Sequence, residues 1–109
     1  MIVREATAAD DATLVTLQKE IFAERWDRPW PPPEVSPAMW AGKLVLLAEE
    51  DGEPLGFVFG EIQPNTHAHV NIVYVRPERR RQGITKALLA EFAARAREAG
   101  AEHLSLDVA

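Results

Sequence analysis

The sequence contains no cysteine. That excludes disulfide scaffolds, zinc ribbons and cysteine nucleophiles. Tyr74 is the single tyrosine. Basic residues are in deficit, 12 against 17 acidic ones, and the net charge is −5. A domain built mainly to hold nucleic acid is normally basic, so a nucleic-acid partner is not expected. Long apolar runs are also missing. The stretch 44–48 falls far short of the ~20 residues that span a bilayer, and the opening Met1-Ile2-Val3-Arg4-Glu5-Ala6-Thr7 has no signal-peptide core. A cytoplasmic protein without a membrane partner is expected.

What remains is 109 residues, 47% hydrophobic and 27% charged, which suits one ordinary globular domain over 1–109. The charge is uneven. Residues 76–98 hold seven basic and three acidic side chains, +4, and the rest of the chain carries −9. One cationic segment on an acidic protein suggests a local anion site, or else a solvated helix face with surplus arginine.

Hydrophobic periodicity outlines the elements. Residues 2–6 read as a short strand. Thr7-Ala8-Ala9-Asp10 is a capping-box-like start, and Leu14, Leu17, Ile21 and Phe22 recur at helical spacing, predicting a helix over 8–24. Pro29 and Pro31-Pro32-Pro33 enforce a loop. Ser36-Pro37 predicts a second, short helix through Met39 and Trp40, ending near Gly42. Strands are predicted at 44–49 and 55–62 about an Asp51-Gly52 hairpin turn. A third strand over 69–75 follows the Pro64-Asn65-Thr66 turn and stops at Pro77. A long helix is predicted over 83–99, with Gly100 just past its end, and a last strand over 103–108. The order is β-α-α-β-β-β-α-β, an α/β chain without repeats or a linker.

The stretch Val73-Tyr74-Val75-Arg76-Pro77-Glu78-Arg79-Arg80-Arg81-Gln82-Gly83-Ile84-Thr85-Lys86 carries the chemistry. A strand runs through a basic turn with one glycine into a helix. That order aims unpaired backbone N–H groups and the positive helix end at one point, which suits a phosphate or pyrophosphate. Gly83 lets the backbone come close, and Arg80, Arg81 and Lys86 add charge. Neither the Walker A loop nor the Rossmann fingerprint is present, since both need more glycines.

The segment resembles the GNAT acyltransferases, which move an acyl group from acyl-coenzyme A to an amine. Their signature, Arg/Gln-x-x-Gly-x-Gly/Ala after a V-x-P-E turn, is matched by Val75-Arg76-Pro77-Glu78 and Arg80-Arg81-Gln82-Gly83-Ile84-Thr85. The opening residues 2–10 and the order of elements are similar too. The resemblance implies a mixed, mostly antiparallel central sheet flanked by helices. It implies acetyl-CoA as cosubstrate, with the backbone of Val73, Tyr74 and Val75 pairing with the pantetheine arm like an added strand. Arg81, Gln82, Gly83, Ile84, Thr85 and Lys86 would cradle the pyrophosphate beside Arg80. The implied reaction is direct attack by an amine, from a small molecule or a peptide, on the thioester, with no covalent enzyme intermediate. A homodimer is implied as well, since the family often pairs chains through its C-terminal strands.

Two positions depart from the pattern. Thr85 stands where the family prefers Gly or Ala, bringing bulk near the diphosphate and a hydroxyl that could donate to it. Family members also continue past the strand that ends here, with a helix whose Tyr often protonates the departing thiolate. The sequence stops at Ala109, which reads as a member lacking its C-terminal third. An alternative reading is therefore a non-catalytic acyl-CoA-binding module or fragment.

An amine acceptor arrives protonated, so the reaction needs a base. His69 falls, counting back from Arg80, where some histone acetyltransferases of the family place a catalytic Glu, and an imidazole exchanges protons near neutral pH. Glu61, near the end of the preceding strand, is the second candidate. Each has a plain alternative, as a half-exposed strand residue and a solvated charge. His67 reads as turn surface, and His103 receives no role. His67 and His69 form an H-x-H pair with no convincing third ligand, so no metal is expected. Trp26 and Trp30 would shape an acceptor pocket or, like Trp40, close the core. Tyr74 alternates with Val73 and Val75 and reads as core packing, not as the acid.

Overall fold

The computed structural model describes residues 1–26, 43–63 and 66–106. The helix predicted from Ser36-Pro37, Trp30 and Trp40, and the Trp26 side chain lie outside the described residues, as does 107–108 of the last predicted strand.

Asp51 and Gly52 both take left-handed backbone, φ 52° and 80°. Such a two-residue turn matches the twist of its strands, and it joins β2 (Leu44–Glu50) to β3 (Glu53–Ile62) in antiparallel register. β1 (Ile2–Glu5) flanks β2, and β4 (His67–Val75) flanks β3, both antiparallel. β5 (His103–Leu106) joins β4 in parallel, which completes a sheet of order β1-β2-β3-β4-β5. The mixed, mostly antiparallel sheet predicted from the sequence is the one observed. β4 begins at His67, two residues earlier than expected, because Gln63 N–H donates to the His67 carbonyl at 2.7 Å and carries the ladder on toward the turn.

Among the described residues one helix covers each face. Asp10 closes the box at the start of the first: its Oδ2 accepts from the Thr7 backbone N–H at 2.8 Å. A short 3-10 turn, Ala8–Asp10, then feeds α1 (Asp11–Trp26). Leu14, Leu17 and Ile21 of α1 pack with Val45, Leu47, Phe57 and Tyr74. On the other face α2 (Ile84–Glu98) buries Ile84, Leu88, Phe92 and Ala96 against Leu46, Val58, Ala68, Val70 and Val75. The alternation along β4 is thus as expected, with Tyr74 on the α1 side and Val75 on the α2 side. Phe92 is fully buried; it sits where Gly60 has no side chain, since a Cβ there would lie 2.6 Å from its Cζ.

β4 is irregular at one place. Phe59 pairs with Ile72 and Gly60 with Val70, so Asn71 is an extra residue opposite none. The pairing of β4 with β5 reaches only Val70–Leu106. β4 therefore continues over 71–75 with β3 on one side and no strand on the other among the described residues.

Candidate active site

Arg76 N–H donates to the Leu55 carbonyl across the β3–β4 ladder. In an antiparallel pair successive residues point their backbone groups to opposite sides, so Val73 and Val75 present theirs away from β3. Among the described residues no strand pairs with this edge, which runs toward the basic turn. The Val75 carbonyl accepts from Arg80 Nε, and the Val75 N–H and the Val73 backbone groups remain open to a ligand. Beyond it a 3-10 turn, Pro77–Arg79, leads to Arg81 and Gly83, both with positive φ, 66° and 79°. The chain thereby folds tightly into the start of α2. Gly83 is the N-cap and no side chain caps the first turn. The protein does not crowd Gly83, as nothing lies within 4 Å of a Cβ placed there; the left-handed backbone is what calls for glycine.

A cleft of about 680 Å³ opens beside this corner, lined by Val75, Arg79, Arg80, Arg81, Gly83, Ile84, Thr85, Lys86, Leu89 and Ala90. Its size suits an extended cofactor segment. The resemblance put Arg80 to Lys86 at a pyrophosphate and Val75 on the strand beside the pantetheine arm. The cleft is lined by Val75 and by all of Arg80 to Lys86 except Gln82. Gln82 instead accepts from Arg79 Nε at 3.2 Å.

The cations are not equivalent. Arg76 clasps Glu20 of α1 at 3.0 Å, and Arg79 pairs with Glu50. Arg80 pairs with Glu24 at 2.8 Å and donates from Nε to the Val75 carbonyl at 2.9 Å. Three of the arginines are thus held by the acidic body of the protein. Arg81 and Lys86 are exposed and make no ion pair among the described residues. The sequence could not separate these roles, because each acidic partner comes from another element.

Tyr74 is buried under this corner. Its hydroxyl donates to Glu20 Oε1 at 3.3 Å, and burial together with the nearby Glu20 and Glu24 carboxylates pushes its phenol up to about 12. It is a packing residue, as the alternation implied. Its backbone groups face β3, so of the three residues expected to pair with a pantetheine arm only Val73 and Val75 present backbone to the open edge.

The proposed bases lie farther back along β4. Glu61 is the cross-strand partner of His69, and the two share the face opposite α2. Glu61 also pairs with Lys43 at 2.5 Å. His69 Nδ1 lies 2.6 Å from Ser105 Oγ, and His67 Nε2 lies 2.8 Å from the same oxygen. His67 is therefore not turn surface: it is a half-buried strand residue tied to β5. Asn71 was missed. Its Oδ1 is buried and has no hydrogen-bond partner among the described residues, at the point where β4 and β5 part. The run His69-Val70-Asn71-Ile72-Val73 reads as an unbroken strand, so no sequence signal marks the bulge.

Comparison with known proteins agrees with this geometry. Residues 12–109 match the acetyltransferase (GNAT) family. No curated protein sequence matches the chain. Among solved structures, a ribosomal-protein-alanine N-acetyltransferase from Brucella melitensis superposes with TM-score 0.81 at 23% identity, over 100% of this chain and 81% of that one. An aminoglycoside acetyltransferase from an uncultured soil sample, in complex with sisomicin, gives 0.80 at 18% identity, over 99% and 77%. An acetyltransferase from Vibrio fischeri gives 0.81 at 23% identity, over 99% and 96%. At these identities the structures show a shared fold; the sequence match carries the assignment. With the strand-turn-helix corner and the fold in agreement, the chain belongs to the GNAT family and is an N-acetyltransferase of that type.

Proposed function

We propose that the chain transfers an acetyl group from acetyl-CoA to a primary amine, with His69 as the base. The diphosphate would rest on the N–H groups of 81–86, with Arg81 and Lys86 supplying charge and the Thr85 hydroxyl a further donor. The pantetheine arm would pair with the Val73 backbone groups and the Val75 N–H, beside the Val75 carbonyl that Arg80 holds. That run leads toward the parting of β4 and β5, beside Asn71 and two residues from His69. The observation that carries the reading is this alignment of anion corner, open edge and imidazole along one strand. Glu61, committed to Lys43, is the lesser candidate for the base.

His69 would take the ammonium proton. The freed amine then attacks the thioester carbonyl directly, and the thiolate leaves with a proton. A net charge of −5 favours approach of cationic acceptors. The solved neighbours are described as enzymes for an aminoglycoside and for a ribosomal-protein alanine, and small-molecule and peptide amines are both proposed here. The reading carries with it a cytoplasmic location and a homodimer, the latter supported by the half-exposed Leu104 and Leu106 on β5. No helix among the described residues is long and apolar enough to cross a membrane.

The test is thiol release from acetyl-CoA across a panel of amino-acid amides, polyamines, aminoglycosides and peptides with free N-termini, beside His69→Gln. Amine-dependent release that falls ~10²–10⁴-fold in the variant, with acetyl-CoA binding unchanged, is expected of a lost base. Coenzyme binding without release for any amine would favour the binding-module reading.

A further inference from the structure

Three side chains on the sheet face opposite α2 converge on one oxygen. Ser105 Oγ lies 2.6 Å from His69 Nδ1 and 2.8 Å from His67 Nε2. All three residues are half-buried. The convergence follows from register. The Thr66 carbonyl accepts from both Glu102 and His103 N–H, at 2.7 and 3.2 Å, and this fixes where β5 starts along β4. With that start, His103 pairs with His67 and Ser105 with His69 in parallel. Side chains repeat every second residue on one face, so His67, His69 and Ser105 must share it. Glu61 stands across from His69 on the same face, its carboxylate held by Lys43.

A serine hydroxyl has one proton to donate and lone pairs to accept with. Between two neutral imidazoles it can accept an N–H from one and donate its O–H to the other. That is the wiring of a relay. We propose that Ser105 is a proton relay joining His69 to His67, which carries the acceptor's proton away from the reacting centre. The inference rests on the reading of His69 as the base.

The steps balance without any further reagent. His69 Nε2 takes the proton of the ammonium group. The Nδ1 proton of His69 passes to Ser105 Oγ as the hydroxyl proton passes to His67 Nε2. His67 becomes the imidazolium, His69 and Ser105 are again neutral, and His67 then releases a proton to water. His69 is left neutral in its other tautomer, with the acceptor's proton on Nε2 and Nδ1 bare, so no positive charge stays beside the amine. It returns to the starting tautomer when Nε2 gives that proton to the departing thiolate and Nδ1 takes one back from His67 through Ser105, with His67 drawing its replacement from water. Ser105 and His67 act through His69 and are positioning residues.

The first arm of the test needs no acceptor. Imidazole ¹⁵N shifts, recorded on the whole chain with both histidines neutral, give their tautomers. The relay requires a proton on His69 Nδ1 and a bare Nε2 on His67. Any other arrangement overturns it. The second arm uses the fastest amine of the panel above. Ser105→Ala should lower kcat ~10–100-fold, at the lower end of an acid–base contribution, with the amine KM and acetyl-CoA affinity unchanged. Ser105→Thr, which keeps the hydroxyl, should restore most of that rate. His67→Gln should match Ser105→Ala, and the double variant should fall no further, because members of one series are not additive. If His69→Gln loses rate and Ser105→Ala does not, the relay falls and the base stands. If His69→Gln keeps its rate, both fall.

Discussion

The Arg80 guanidinium lies 5.6 Å from the centre of the Tyr74 ring and 2.8 Å from Glu24. The first residue of the anion-site signature thus faces α1, and its Nε holds the Val75 carbonyl. Arg80 acts as a brace between the strand, the loop and the helix, and in the proposed site Arg81 and Lys86 would supply the charge to a diphosphate. Arg80→Ala should therefore cost stability more than affinity. A partly exposed ion pair and a ring contact are each worth up to ~1 kcal/mol. A fall in Tm of ~4–8 °C is expected for a domain of this size, with acetyl-CoA affinity within a few-fold of the wild type. Thermal unfolding beside titration separates the two effects.

Tyr74→Phe should leave turnover intact. The phenol is buried, raised to about 12 and bonded to Glu20. Removing it costs one hydrogen bond, ~0.5–1.5 kcal/mol. A loss of rate beyond tenfold in thiol release would instead make it the proton donor to the thiolate.

Asp10 makes stability depend on acid pH. The Arg4 guanidinium, bonded to both its oxygens at 2.9 Å, holds its carboxyl at about 2, below the usual 3.8. A folded-state value lowered in this way means that the ionised form stabilises the fold. The contribution is complete above the ordinary value and is lost as pH falls from about 4 to about 2. Asp10→Asn, which also weakens the cap on Thr7, should lower stability by ~1–2 kcal/mol at neutral pH. Its stability should then vary less with pH across the 4-to-2 window. Denaturant unfolding at several pH values checks this.

Gly60→Ala should be among the costliest small changes. Its Cβ would meet the fully buried Phe92 ring and the His69 backbone. Overpacking of that kind costs ~1–3 kcal/mol. A variant as stable as the wild type would mean that Phe92 can move aside.

Local chemistry was legible in the sequence, and long-range pairing was not. Asp51-Gly52 marks its own turn because the turn needs only those two residues, and the helix of Ile84, Leu88 and Phe92 is written in its period. The basic strand-turn-helix corner was readable for the same reason, since its elements are contiguous from Val75 to Lys86. His67 was misplaced because its strand identity depends on Gln63 and its partner on Ser105. The engagement of Arg80 depends on Glu24, 56 residues away. Asn71 stayed hidden because a bulge is a mismatch between two strands, and β4 alone alternates without a break.

The central claim is that coenzyme A binds on the 81–86 corner through its backbone and through Arg81 and Lys86, which make no ion pair among the described residues. Isothermal titration of acetyl-CoA into the chain, beside an Arg81→Glu/Lys86→Glu variant, tests it most directly. The account predicts binding by the wild type and at least tenfold weaker binding by a variant that melts at the same temperature. Equal affinity in the variant, or no binding by the folded wild type, would contradict it.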